Sequence, residues 1–97
     1  MKFDWDESKA KKNFQKHGIS FPLAVTVFDD PFALIAPDDR HSSRMEKREW
    51  IIGKADRGIL VVVFTKRLYG RIYRIISARK ANKKERETYE NYKRIPI

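Results

Sequence analysis

Glu46, Arg48, Trp50 and Ile52 alternate along a strand-like stretch at 45–53 and so share one of its faces. A second alternating stretch, 71–78, sends Tyr73, Ile75, Ser77 and Arg79 one way and Ile72, Arg74, Ile76 and Ala78 the other. A sheet face that mixes arginine, a carboxylate and aromatic rings can hold a phosphate, accept a proton and stack a base. The plainer alternative is that Glu46 and Arg48 are neighbours on a solvated edge.

Other chemistries find little support. His17 and His41 lie on different elements, each without a second histidine at metal-ligand spacing, and the chain has no cysteine. Asp29-Asp30 and Asp38-Asp39, each beside a proline, read as turn and capping residues rather than magnesium ligands. There is no glycine-rich phosphate loop and no Gly-x-Ser-x-Gly elbow. An enzyme of this composition is therefore expected to work without metal or organic cofactor. RNA offers one such reaction. Its 2′-hydroxyl attacks the adjacent phosphate once a base takes the proton, cations stabilise charge on the phosphate oxygens, and an acid protonates the leaving 5′-oxygen. Arginines suit the second task, Glu46 or a histidine the first, and Tyr89 or a histidine the third. His17 reads as a helix-end residue that complements the dipole; His41, in a polar loop, stays open.

The charge distribution points to the same class of partner. The net charge is +9, from 22 Lys and Arg against 13 Asp and Glu. Residues 1–48 hold nine basic and eight acidic side chains, whereas residues 49–97 hold 13 and five. Between 66 and 86 nine cations face the single acid Glu85. Such a field draws polyanions and speeds their encounter.

These residues need elements to position them, and 97 residues allow one domain, spanning 1–97, with one modest core. Asp6 caps a first helix over 6–17, with Ala10, Phe14 and His17 at helical spacing and Gly18 just past its end. Ser20 caps a second helix, with Pro22 in its first turn, that ends at Asp29-Asp30-Pro31. A short strand, Phe32 to Ala36, precedes a polar loop and three strands near 45–53, 59–65 and 71–78. The links Asp56-Arg57-Gly58 and Leu68-Tyr69-Gly70 are short enough for an antiparallel meander. The run 59–65 is apolar on both faces, as a central strand covered on both sides requires. Asn82 and Glu85 form a capping box that opens a last helix to about Tyr92, with only a narrow apolar stripe. The class is α+β: a compact antiparallel four-stranded sheet with two N-terminal helices and one C-terminal helix. The N-terminus turns acidic where a signal peptide needs an apolar stretch, and no run is long enough to span a membrane, so a cytoplasmic location is expected.

Over almost its whole length the chain resembles the BrnT toxins. Phe3-Asp4-Trp5-Asp6, Lys9, Asn13, Lys16-His17-Gly18, Phe21 and Val27-Phe28-Asp29-Asp30-Pro31 are similar to the family's N-terminal signature. Glu46-x-Arg48, Ile52-Gly53, Arg74-Ile75-Ile76-Ser77-Ala78-Arg79, Ala81, Glu85-Arg86 and Tyr89 are similar to its C-terminal one. Lys47 stands where a second acidic residue is common, which leaves Glu46 as the carboxylate of that motif. The resemblance implies a RelE-like fold and a ribonuclease toxin of a type II toxin–antitoxin system that cuts RNA and blocks translation. It also implies a BrnA-like ribbon-helix-helix antitoxin, through which the complex binds operator DNA and represses its own operon.

Residue roles follow from the chemistry above rather than from the family. Arg48 and Arg79 are expected to bind the scissile phosphate, joined by Arg74 if a bulge re-aims it to the same face. Glu46 and Tyr89 are the expected proton-transfer groups. Lys9, Lys12 and Lys16 on the first helix, with Lys80 and Lys83, would guide the RNA backbone. Two alternatives stay open: a non-enzymatic RNA- or ribosome-binding module using the same basic surface, and a purely structural partner whose basic face docks an acidic antitoxin segment.

Overall fold

In the computed structural model, which describes residues 1–95, the first helix forms where its caps place it. Helix α1 spans Glu7–His17; the Asp6 carboxylate accepts from the backbone N–H of Ser8 at 2.8 Å and of Lys9 at 3.1 Å. Gly18 takes the left-handed conformation, φ 70°, and donates its N–H to the Phe14 carbonyl. Helix α2, Phe21–Val25, is capped by the Ser20 hydroxyl and runs directly into a 3-10 turn, Thr26–Asp29. A final helix, α3, spans Lys83–Lys93 and opens on the reciprocal Asn82–Glu85 capping box.

The strands are β1 (Lys2–Asp4), β2 (Leu34–Pro37), β3 (Arg48–Ala55), β4 (Gly58–Arg67) and β5 (Ile72–Lys80), in the sheet order β1-β5-β4-β3-β2. Strands β2 to β5 form the expected antiparallel meander. The sheet is nevertheless five-stranded and mixed, because β1 pairs parallel with β5 (Lys2 opposite Ile72, Asp4 opposite Arg74). Three residues are too few to show a period, and their partner strand lies 70 positions away, so nothing local marks β1 as a strand.

Alternation along the central strands builds two apolar layers. Ile51, Leu60, Val62 and Phe64 face the main core, together with Ile19, Phe21 and Val27 from the segments that cover that side. Ile52 and Val61 face the other way, against Ala81 and Tyr89, with Trp50 and Ile59 beside them. Helix α1 lies on the main-core side. Its buried Asn13 donates to the Ile19 and Ala78 carbonyls and accepts from the Ala78 N–H, satisfying the edge of β5 that the short β1 leaves bare. Gly53 lets the 3-10 turn press on β3: a Cβ there would stand 3.0 Å from the Val27 carbonyl oxygen.

One irregularity re-aims side chains. Val63 lies opposite Ser77 but Phe64 opposite Ile75, so β5 carries an extra residue, Ile76. Ile75 and Ala78, three positions apart, therefore both enter the main core, as does Tyr73. Ser77 and Arg79 turn to the opposite face, and Arg74 joins them there. The regular alternation expected for this strand, with Tyr73 and Ile75 sharing the face of Arg79, is broken at the bulge.

Candidate active site

The second sheet face is covered only in part by α3, and a cleft of about 550 Å³ opens beside that helix. Its floor is apolar: Trp50 and Ile52 from β3, Val61 and Val63 from β4. Arg48 and Arg79 stand at the ends of this floor, Lys84 and Thr88 on the helix wall, and Asp38 and His41 on the opposite loop.

That loop, between β2 and β3, is held by its own hydrogen bonds. The Ser42 hydroxyl donates to the Asp38 carbonyl at 2.7 Å and accepts from the Arg48 N–H at 2.9 Å, while the Asp38 N–H donates to the Arg48 carbonyl at 2.8 Å. The result fixes Asp38 beside His41, whose Nδ1 lies 3.1 and 3.0 Å from the two carboxylate oxygens. The Asp38 side chain is 13% exposed and the His41 ring 64%. With Nδ1–H given to the carboxylate, Nε2 is left as a proton acceptor on a side chain that lines the cleft.

Arg48 has donor capacity to spare. Its Nη2 is 3.8 Å from Glu46 Oε2, a loose contact, and its Nε is buried without a hydrogen-bond acceptor among the described residues. A buried donor left unmatched is costly and marks a place where an acceptor from outside is welcome.

The expected fork of Arg79 onto a phosphate is instead spent on Glu85. Nη1 and Nη2 donate to its two oxygens at 2.7 and 2.8 Å. The Glu85 hydrogen bonds hold the Arg79 guanidinium above its ordinary range, and the Arg79 hydrogen bonds hold the Glu85 carboxyl below its own despite its burial. Glu85 also closes the capping box, so Arg79 fastens the first turn of α3 to the end of β5.

Two further expectations are corrected. Tyr89 does not reach the cleft. It is 1% exposed, packs on Ile52 and Val61 beside the open part of the floor, and donates its hydroxyl to Asp30. Burial, and then Asp30, push its phenol up, which suits a fixed donor rather than an acid in turnover. Burial alone would raise the Asp30 carboxyl, but donation from Tyr89, the Lys54 N–H and the Phe32 N–H holds it low. Lys9, Lys12 and Lys16 sit on α1, across the sheet from the cleft, so that helix does not border the site.

Arg74 shares the face of Arg79, yet its Nε and Nη2 donate to Asp4 at 3.0 and 3.3 Å, outside the cleft. Glu46 lines a neighbouring groove with Thr65, Lys66 and Arg67 and meets the cleft only through Arg48. Lys80 follows Leu60 toward the main-core side, and Lys83 is exposed beside Lys84. The pairing of Asp38 with His41 is what residue type alone left open; its only signal is a carboxylate three positions before a histidine in a polar loop. Lys84 had no signal beyond its place in a basic run.

Residues 5–85 match the family described as the ribonuclease toxin, BrnT, of type II toxin–antitoxin systems. No curated protein matches the chain.

Proposed function

The chain belongs to the BrnT family of ribonuclease toxins of type II toxin–antitoxin systems, and on that premise we propose that its cleft is a metal-independent endoribonuclease site worked by His41, Arg48 and Lys84. The observation that carries this reading is the Asp38–His41 pair on one wall with the unmatched donor of Arg48 at the end of an apolar floor.

His41 Nε2 takes the proton of the 2′-hydroxyl. The freed oxygen bonds to the adjacent phosphorus while the bond to the 5′-oxygen breaks, which leaves a 2′,3′-cyclic phosphate and a 5′-hydroxyl. Arg48 donates to the phosphate oxygens as their charge grows, a use of preorganised donors that favours the transition state over the ground state. The Lys84 ammonium, on the opposite wall, supplies the proton to the leaving oxygen. Trp50 offers a ring on which a flanking base can stack. Glu46 positions Arg48, and the Arg79–Glu85 pair positions Lys84. The family's antitoxin is of the BrnA-like ribbon-helix-helix kind in this reading and binds operator DNA on behalf of the complex; RNA cutting in the cytoplasm arrests translation.

The test is purified protein with RNA in excess EDTA, followed by analysis of the product ends. Cleavage that persists and leaves cyclic or 3′-phosphate ends is expected. Activity abolished by EDTA and restored by magnesium overturns the metal-independent mechanism.

A further inference from the structure

The β4–β5 hairpin turns on Leu68 and Tyr69, both in the left-handed region at φ 51° and 56°, followed by Gly70 at φ 83°. Gly70 N–H donates to the Arg67 carbonyl and Arg71 N–H to that of Leu68. Turns with two positive-φ central residues favour Asn-Gly, Asp-Gly or Gly-Gly, because a larger side chain is strained there. Here two large apolar residues occupy both positions and neither is buried: Leu68 is 63% exposed and Tyr69 106%. The strain is not offset by packing, so it points to a use outside the core.

The surroundings indicate what kind of use. From Lys66 to Arg74 the hairpin carries cations and no acid. A groove lined by Glu46, Lys47, Glu49, Thr65, Lys66 and Arg67 runs along the base of the hairpin; Lys66 is paired with Glu49 at 3.3 Å, and the contact between Glu46 and Arg48 joins the groove to the cleft. Thr65 lies opposite Arg48, and Tyr69 follows four residues later, on the order of 10–13 Å further along at strand rise. A chain of phosphates leaving the cleft at Arg48 meets Lys47 and Arg67 along this path and reaches the ring after a few nucleotides.

Resting on the ribonuclease reading above, we propose that Tyr69 is a stacking platform for a base of the single-stranded RNA outside the cleft, held out by the strained turn so that its ring face stays free. An aromatic ring beyond a set of cations is how single strands are gripped without sequence preference.

The test uses full-length protein and two oligoribonucleotides with 2′-methoxy groups, which lack the nucleophile. One is short enough to fill only the cleft; the other is extended by several nucleotides and carries a fluorescent purine in the extension. Tyr69→Asn removes the ring while suiting the turn, and Tyr69→Trp keeps a ring. The Asn variant is expected to melt no lower than wild type, to bind the short strand unchanged, and to bind the long strand about tenfold more weakly. Quenching of the purine should be lost in the Asn variant and kept in the Trp variant. Equal affinity of wild type and Tyr69→Asn for the long strand overturns the platform but leaves the cleft reading intact. Weakened antitoxin binding with unchanged RNA binding overturns it in favour of a protein contact. A wild-type protein that binds neither strand overturns the RNA reading and the platform with it.

Discussion

His41 and Tyr89 show how residue type divides from residue role. An imidazole held at Nδ1 by a carboxylate presents its other nitrogen in one direction, and the Ser42 bridges keep the loop that carries the pair in place. His41→Ala is expected to slow cleavage by about 10²–10⁴-fold without lowering the melting temperature, because the ring is mostly exposed and touches no core. An unchanged rate removes His41 from the reaction. Tyr89→Phe should do the reverse. It leaves a buried ring in place but takes a donor from the Asp30 carboxylate, at a cost of about 1–3 kcal/mol in stability. Cleavage by the folded fraction should stay near wild type; a rate loss well beyond the unfolded fraction would return Tyr89 to the chemistry. The burial of Tyr89 is hinted at by the narrow apolar stripe of the last helix. Its partner Asp30 lies 59 positions away and leaves no trace in local pattern.

Helices and meander strands are legible because each rests on local rules: a cap three residues from its donor, a period of two, a glycine in a tight link. The parts that escape are those set by distant partners. Strand β1 exists only because β5 offers an edge, and the bulge at Ile76 belongs to the register between β4 and β5, with no turn residue to mark it. That bulge decides which arginines can share a face, so the site was less legible than the fold. At the junction of β5 and α3, Arg79 and Glu85 test one reading against another. If Arg79 positions the helix, Arg79→Ala and Glu85→Ala should both lower cleavage by displacing Lys84, and each should cost about 0–1 kcal/mol, since both side chains are partly exposed. If Arg79 instead binds phosphate, Glu85→Ala frees its fork and activity rises. Titration gives a further check. The Glu85 carboxyl is held below its unfolded value, so the stability it contributes is present above that unfolded value and fades as the pH falls through the folded one. Glu85→Gln should therefore flatten the loss of stability in acid compared with wild type, measured as melting temperature against pH. Identical acid slopes would show that the pair contributes nothing to it.

Across the whole molecule the sheet divides the positive charge. Lys9, Lys12 and Lys16 lie on the α1 side, while Arg48, Lys83 and Lys84 lie at or beside the cleft and Arg67 lines the adjoining groove. One RNA strand seated in the cleft can meet the second group but not the first. A net charge of +9 therefore overstates the number of phosphates neutralised. About four to six contacts give a log–log salt slope of roughly −3 to −4 for a single strand, each contact contributing about −0.7. An antitoxin that covers the same face should compete with RNA, so binding by the isolated complex should fall. The two sides of the sheet can be separated by charge removal. Lys83→Gln with Lys84→Gln is expected to make the slope shallower by about 1.4, and Lys84→Gln alone should also slow cleavage. Lys9→Gln, Lys12→Gln and Lys16→Gln together should leave the slope and the rate as they are, although this variant loses more charge. The measurement is affinity for an uncleavable single strand across a salt series, with all three proteins shown to fold. If the α1 variant loses as much slope as its three charges allow, the strand runs over the opposite face of the sheet, and the cleft beside α3 is not where the RNA lies.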